Sequence, residues 1–288
     1  MGVKDRGRGR AQGLFIVFWL LGGSLLAFIA LPLLRMITRQ DPKTLLQVAG
    51  AHDVQAAILL SLTAALMTSV IAALVGTPMA YLLARGRFRG KNVLSALVDL
   101  PLAIPHTVVG IALLFVFGRT GWLGAPLAHL GLKFWGTTAG IVVGMLFVSA
   151  PFMVNAAREG FEAVDERLEK VARTLGARPS DVFRRISLPL ALRGVLTGMV
   201  LTYARSVSEF GAVVILAYYP QTAPVKIYEL YLEYGLTRSS AMAVLLMAVS
   251  LSTFILLRYL ASSVVSPGRA ARAASRTNSQ AGDQGVAP

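Results

Sequence analysis

The chain has no cysteine. A disulfide framework, a thiol nucleophile and a cysteine-bound metal centre are therefore closed to it. Histidine is almost as scarce. His52, His106 and His129 lie far apart, and none has the His-Glu-x-x-His or similar spacing that holds a metal. Gly-x-Ser-x-Gly does not occur. The segment Gly86-Arg-Phe-Arg-Gly90-Lys91-Asn92 is one residue short of a phosphate-binding loop and has Asn where Ser or Thr holds magnesium, so it reads as a turn. Acidic residues are also few, 14 against 28 Lys and Arg, giving a net charge of +14.

Apolar residues are abundant. The chain is 55% hydrophobic with a mean hydropathy of +0.65, above soluble globular norms. Six apolar segments (11–34, 54–84, 92–118, 134–157, 194–225 and 239–257) reach the roughly 20 residues a helix needs to cross a bilayer. The third holds a single acid, Asp99, and the fifth holds Arg205 and Glu209. The expected fold is an all-α integral membrane protein with six transmembrane helices. The first segment is longer than the apolar core of a signal peptide and reads as a retained span.

Most Lys and Arg fall before residue 11, in 85–91, in 158–193 and in the tail. The positive-inside bias then puts both termini in the cytoplasm. The charge is topological, so nucleic acid is not an expected partner. Residues 1–13 read as a basic cytoplasmic N-terminus, 14–260 as the membrane domain, and 261–288 as a tail too poor in large apolar side chains to fold alone and therefore disordered. No internal repeat is visible.

Residues 159–190 form the one long polar stretch between spans. Leu168, Val171, Ala172 and Leu175 share a helix face. Asp165 is placed to cap that helix, Gly176 to end it in a left-handed cap, and Pro179 to start the next. The result is a small apolar knuckle shaped for another protein's cleft. The stretch resembles the coupling loop of ABC-importer permeases, whose pattern is Glu-Ala-Ala, two residues, Leu-Gly, nine residues, Ile, one residue, Leu-Pro. Ala172, Leu175, Gly176, Ile186, Leu188 and Pro189 fall on it. Lys170 and Val171 depart from it, and Glu169 stands one place early.

The third segment carries Pro101, Pro105, His106 and Thr107. Two prolines four apart remove helix donors and kink the helix. The segment either lines a wet path or packs as a kinked helix whose His bonds a freed carbonyl. In the fifth segment Gly198, Thr202, Arg205 and Glu209 form a polar stripe. Glu209 reads as half of an ion pair with Arg205, and Arg205 as facing the path or its cytoplasmic mouth.

Residues 99–114 resemble the third-span signature of oxyanion importers. Ser-Glu-Phe-Gly-Ala-Val-Val at 208–214, followed by Tyr218-Tyr219-Pro220 and Ala223-Pro224, is similar to molybdate/tungstate permeases, with sulfate/thiosulfate permeases as the related alternative. The resemblance covers about residues 14–260. It implies an importer-type permease fold in the cell membrane, working as a homodimer. It implies two cytoplasmic ATPase subunits that hold ATP and magnesium, and an extracytoplasmic oxyanion-binding protein. The chain itself would hold no cofactor or metal and would catalyse nothing. By the same resemblance Glu169 joins the coupling residues, and Pro105, His106, Thr107, Thr202, Arg205, Ser208 and Glu209 are candidates for the path. A passive anion channel is the remaining alternative, although it has no use for an ATPase-contacting loop.

The topology is testable without a cysteine background. Ser180→Cys should react only with thiol reagents that reach the cytoplasm, and Gln221→Cys with impermeant reagents added outside. The reverse pattern would overturn the orientation.

Overall fold

The structure is a computed structural model that describes residues 4–264, with side chains from Phe15 to Ser263. The described residues are helical throughout, joined by turns. The helices are α1 (Lys4–Thr38), α2 (Pro42–Gly50), α3 (His52–Arg85), α4 (Lys91–Ala103), α5 (His106–Phe117), α6 (Gly124–His129), α7 (Thr138–Glu162), α8 (Glu166–Thr174) and α9 (Pro179–Val182). A π-helical turn, Phe183–Ser187, leads into α10 (Leu188–Val207), followed by α11 (Gly211–Leu216), α12 (Ala223–Tyr234) and α13 (Leu236–Val264).

Five stretches are long and apolar enough to cross a membrane: Phe15–Thr38, His52–Arg85, Thr138–Glu162, Pro179–Val207 and Leu236–Ser263. The sixth crossing is a broken one, α4 plus α5, bent by 113°. Six spans therefore stand, with two revisions. First, Pro105 does more than kink the third span. It has no N–H and drives Ile104 to an extended conformation (φ −90°, ψ 134°), so α4 ends there and α5 starts anew. Second, the apolar run expected over 194–225 is not one helix. The span begins earlier, at Pro179, and α10 stops at Val207; the apolar residues beyond form α11 and the start of α12. The Ala212 N–H in the first turn of α11 is taken by the Glu209 side chain at 2.9 Å, which satisfies a donor that the restart would otherwise leave bare. The last helix runs past residue 261 to Val264; the expectation of disorder from residue 265 lies outside the described residues.

The centre of the bundle is α3, α7 and α10. Lipid gives helices no hydrophobic drive to associate, so close packing of small residues must hold them. A Cβ on Gly194 would stand 2.6 Å from the Gly160 Cα, and one on Gly198 would stand 2.9 Å from the Met153 carbonyl. α7 and α10 therefore touch backbone to backbone. Ala72, Ala80, Met153, Ala157, Phe161, Ala191 and Val195 fill the inner half of the core. Ala64, Ala65, Ile141, Met145, Tyr203, Val207 and Val213 fill the outer half. By contrast the apolar stretch of α1 has no buried residue, with Trp19 and Phe28 about three-quarters exposed.

The Gly160–Gly194 contact gives a paired test. Gly194→Ala must push the two backbones apart and should cost about 1–3 kcal/mol. Gly22→Ala meets nothing within 4 Å and should cost nothing. Thermal melting of the detergent-solubilised protein followed by size-exclusion chromatography should separate the two.

Candidate functional site

Two regions carry the candidate residues. In the cytoplasmic loop the local signals act as their chemistry dictates. Asp165 accepts from the Arg167 N–H at 2.9 Å and caps α8. Gly176 closes it with φ +86°, and Pro179 opens α9. Leu168, Val171 and Leu175 point outward, Leu175 at 82% exposure. These three form the knuckle. Ala172, Ile186 and Leu188 are half-buried, and Pro189 is exposed. The Gly-to-Leu-Pro half of the motif thus leans back on the spans.

Glu169 is 2% exposed and faces the spans, away from the knuckle. Its Oε1 accepts from Arg85 Nε at 2.9 Å and from Ser187 Oγ at 2.9 Å; its Oε2 accepts from the Tyr81 hydroxyl and from Arg173 Nη2, each at 3.2 Å. Lys170, where the family pattern has Glu, instead pairs with Glu166 at 3.1 Å on the surface. The bond and charge of Lys170 hold the Glu166 carboxyl below its ordinary value. Tyr81, Arg85 and Ser187 were not anticipated as site residues. The one available signal was Arg85, the cation that ends the long uncharged run.

The second region lies where the two helix breaks meet. Thr202 and Ser206 of α10 reach Ser149, near the middle of α7, so α10 stops at about mid-length of its neighbour. α11 then packs on α5 so closely that a Cβ on Gly211 would lie 2.7 Å from the His106 Cβ, and one on Gly110 the same distance from the Ile215 Cβ. This contact brings His106 against the end of α10. Arg205 Nη2 stands 2.9 Å from Glu209 Oε2, 2.9 Å from His106 Nδ1 and 3.0 Å from His106 Nε2. His106 Nδ1 is 3.2 Å from the same Glu209 oxygen. With Nδ1–H directed at Glu209, the ring offers Nε2 as acceptor to Arg205. Glu209 is 1% exposed, Arg205 21% and His106 39%. The open side therefore presents Arg205 and His106, and the carboxylate sits behind them.

Ser208 and Thr107 are exposed beside the cluster, and Arg205 Nη1 donates to Ser208 Oγ at 3.4 Å. Ser208 also borders an open apolar groove of ≈ 560 Å³ with Phe210, Tyr228 and Ser239. Pro105 is exposed at the break itself. Thr202 is fully buried against α7 and lines no open surface here, and Gly198 is buried with it. Glu209 lies beyond the end of α10, so the expected stripe is not on one helix. Arg205 stands at mid-length of α7, which places it well away from a cytoplasmic mouth. Asp99, the lone acid of the third segment, accepts from Asn155 Nδ2 at 2.7 Å and ties α4 to α7.

Away from the loop, Lys226 fastens α12 to α3 through Asp53 at 2.9 Å, with Glu229 at 3.2 Å on its own helix. Burial works against its charge, but the bonds to both carboxylates outweigh it and hold Lys226 above the ordinary lysine range.

A loop helix with an outward apolar knuckle, six crossings and a charged cluster at paired helix breaks define a transporter's membrane subunit. The family described as "Binding-protein-dependent transport system inner membrane component" matches residues 72–266, and the chain belongs to it. It is 44% identical over 254 residues to the molybdate/tungstate transport system permease protein WtpB of Pyrococcus abyssi, covering 88% of this chain and 97% of that one. It is 46% identical over 246 residues to the protein of the same name from Thermococcus kodakarensis, covering 85% and 94%. In fold it is similar to a bacterial alginate ABC transporter solved in complex with an alginate-pentasaccharide-bound periplasmic protein, with a TM-score of 0.73, 15% identity, and coverage of 91% and 98%. The protein is a multi-pass protein of the cell membrane.

The charged cluster yields a double-mutant test. Breaking a buried ion pair by removing one partner commonly costs about 3–5 kcal/mol. Arg205→Met and Glu209→Met should each lower the folded yield, and the double variant should recover part of it over Arg205→Met alone, short of the parent because the Ala212 N–H still lacks its acceptor. Recovered yield without recovered transport places Arg205 on the path; recovered transport limits it to balancing Glu209.

Proposed function

We propose that the chain is the permease subunit of an ATP-driven importer for molybdate and tungstate. It works as a pair of identical subunits with two cytoplasmic ATPase subunits and an external oxyanion-binding protein. The observation that carries this reading is the outward face of Leu168 and Val171 on a nine-residue helix and of Leu175 at its C-cap. Three apolar side chains held in water by a capped helix need a partner's cleft. A passive channel has no use for one. The substrate class rests on relatives bearing those anions in their names and matching over nearly their whole length.

In this reading the binding protein delivers the anion to the outer face. ATP draws the ATPase subunits together, the two copies of α8 follow, and the spans rock open outward. The anion then meets the Arg205 guanidinium and the hydroxyls of Ser208 and Thr107, all able to donate to a tetrahedral oxyanion, while His106 keeps its N–H on Glu209 and helps position Arg205. Glu209 balances Arg205 at rest and keeps anion affinity low, so the anion leaves when hydrolysis reopens the inner side. ATP and magnesium stay on the ATPase subunits.

The complete complex in proteoliposomes tests this. Uptake of labelled molybdate should require ATP on the ATPase side and the binding protein on the other, and tungstate should compete where sulfate does not. Competition by sulfate would move the substrate to the sulfate/thiosulfate class. ATP-independent anion conductance would leave the channel. Gly176→Val should insert normally but lose most uptake, because a side chain in the left-handed region costs about 1–2 kcal/mol and the cap that sets the knuckle yields.

A further inference from the structure

The coupling loop is joined by chain to only two of the three central helices. Residues 163–165 connect α8 back to α7, and residues 175–178 lead through α9 and the π turn into α10. α3 has no such link; beyond Arg85 the chain turns away into α4. Yet α3 packs against both α7 and α10 along the core. A motion of α8 therefore reaches α3 either indirectly, through that apolar packing, or directly, through a polar tie from the loop to the end of α3.

The Glu169 carboxylate has the position and the bonds of that tie. Each oxygen takes two donors. Two of the four come from the last turns of α3, Arg85 at 2.9 Å and the Tyr81 hydroxyl at 3.2 Å. A third comes from Ser187 at the end of the π turn, whose hydroxyl also lies 3.4 Å from the Val182 carbonyl. Arg85 further clamps the Val164 carbonyl at 2.6 Å. The Tyr81 ring meets the edges of Phe161 of α7 and Phe183 of the π turn at 5.2 and 4.9 Å. Side-chain exposure at the pair is 11% for Arg85 and 2% for Glu169, so water screens it little. The other ion pair from the loop to the α3 end, Arg87 to Glu166, is long at 3.8 Å and exposed at both ends, the kind that contributes little.

We infer that Glu169 is a positioning residue that carries the motion of the coupling helix into α3 through Arg85 and Tyr81, and sets the π-turn joint of α10 through Ser187. The inference rests on residues 159–190 being the ATPase contact. It gives Glu169 a task distinct from that contact, because the side chain faces the spans. Its loss leaves the knuckle in place and lets α3 lag behind α7 and α10.

The test uses the full complex and the absence of native cysteine. A spin label at Ser180→Cys reports the loop, and one at Leu82→Cys reports the last turn of α3, each as a distance between the two copies. In the parent, ATP with vanadate should change both distances. In Glu169→Ala the Ser180 distance should still change and the Leu82 distance should not. Uptake per ATP hydrolysed should fall about tenfold, the scale of a coupling energy near 1.4 kcal/mol. Glu169→Asp should recover some of both. Glu169→Gln keeps an acceptor but loses the charge, and it gives the same reading if the Ala variant assembles poorly. A Leu82 distance that still changes in Glu169→Ala or Glu169→Gln overturns this inference alone. A parent in which Ser180 stays fixed overturns the coupling-loop reading, and this inference with it.

Discussion

A helix that stops midway across a membrane leaves amides and carbonyls where no water can reach them, and the protein must satisfy them from within. The chain does this twice in one place. Pro105 ends one span early, Ser208 ends another, and the two breaks lie side by side because Gly110 and Gly211 let α5 and α11 approach closely. Glu209 serves both needs, taking a backbone N–H of α11 and pairing with Arg205. The interruption places His106, Arg205 and Ser208 together and gives the bundle a region whose backbone is not locked in one continuous helix. The acceptor that repairs the break is thus also the one that holds the Arg205 guanidinium.

The cytoplasmic end follows the opposite logic. There the polar groups are gathered on one buried carboxylate. The small-residue core between the two ends packs α3, α7 and α10 closely along their length. The knuckle offers a contact, Glu169 fastens it, and the core connects it to the helix breaks.

The sequence disclosed these features unevenly. The six crossings follow from apolar length. Asp165, Gly176 and Pro179 act as their local chemistry requires, since capping depends on neighbours only a few residues away. Pro105 announced a disturbance but not its size. The end of α10 left no mark, because residues 210–217 are as apolar as a continuing helix, and hydropathy cannot separate a span from a break followed by a short helix. Thr202 was assigned by its neighbours to an open face, but it turns to α7. The inward turn of Glu169 depends on Arg85 and Tyr81, more than eighty residues earlier in the chain. One residue along a helix is about 100° of face, and only the partner decides which face is inside.

The Gly160–Gly194 contact has a mechanical meaning. The two helices touch backbone to backbone there and again where Gly198 meets Met153, and their polar side chains meet once more at Ser149. With no bulky side chain between them to yield, they neither slide nor tilt easily past one another. The pair is a strut, about 39 Å from Pro179 to Arg205 at 1.5 Å per residue. A push at its cytoplasmic end therefore arrives at the charged cluster as a displacement of the whole strut, with little lost to bending on the way.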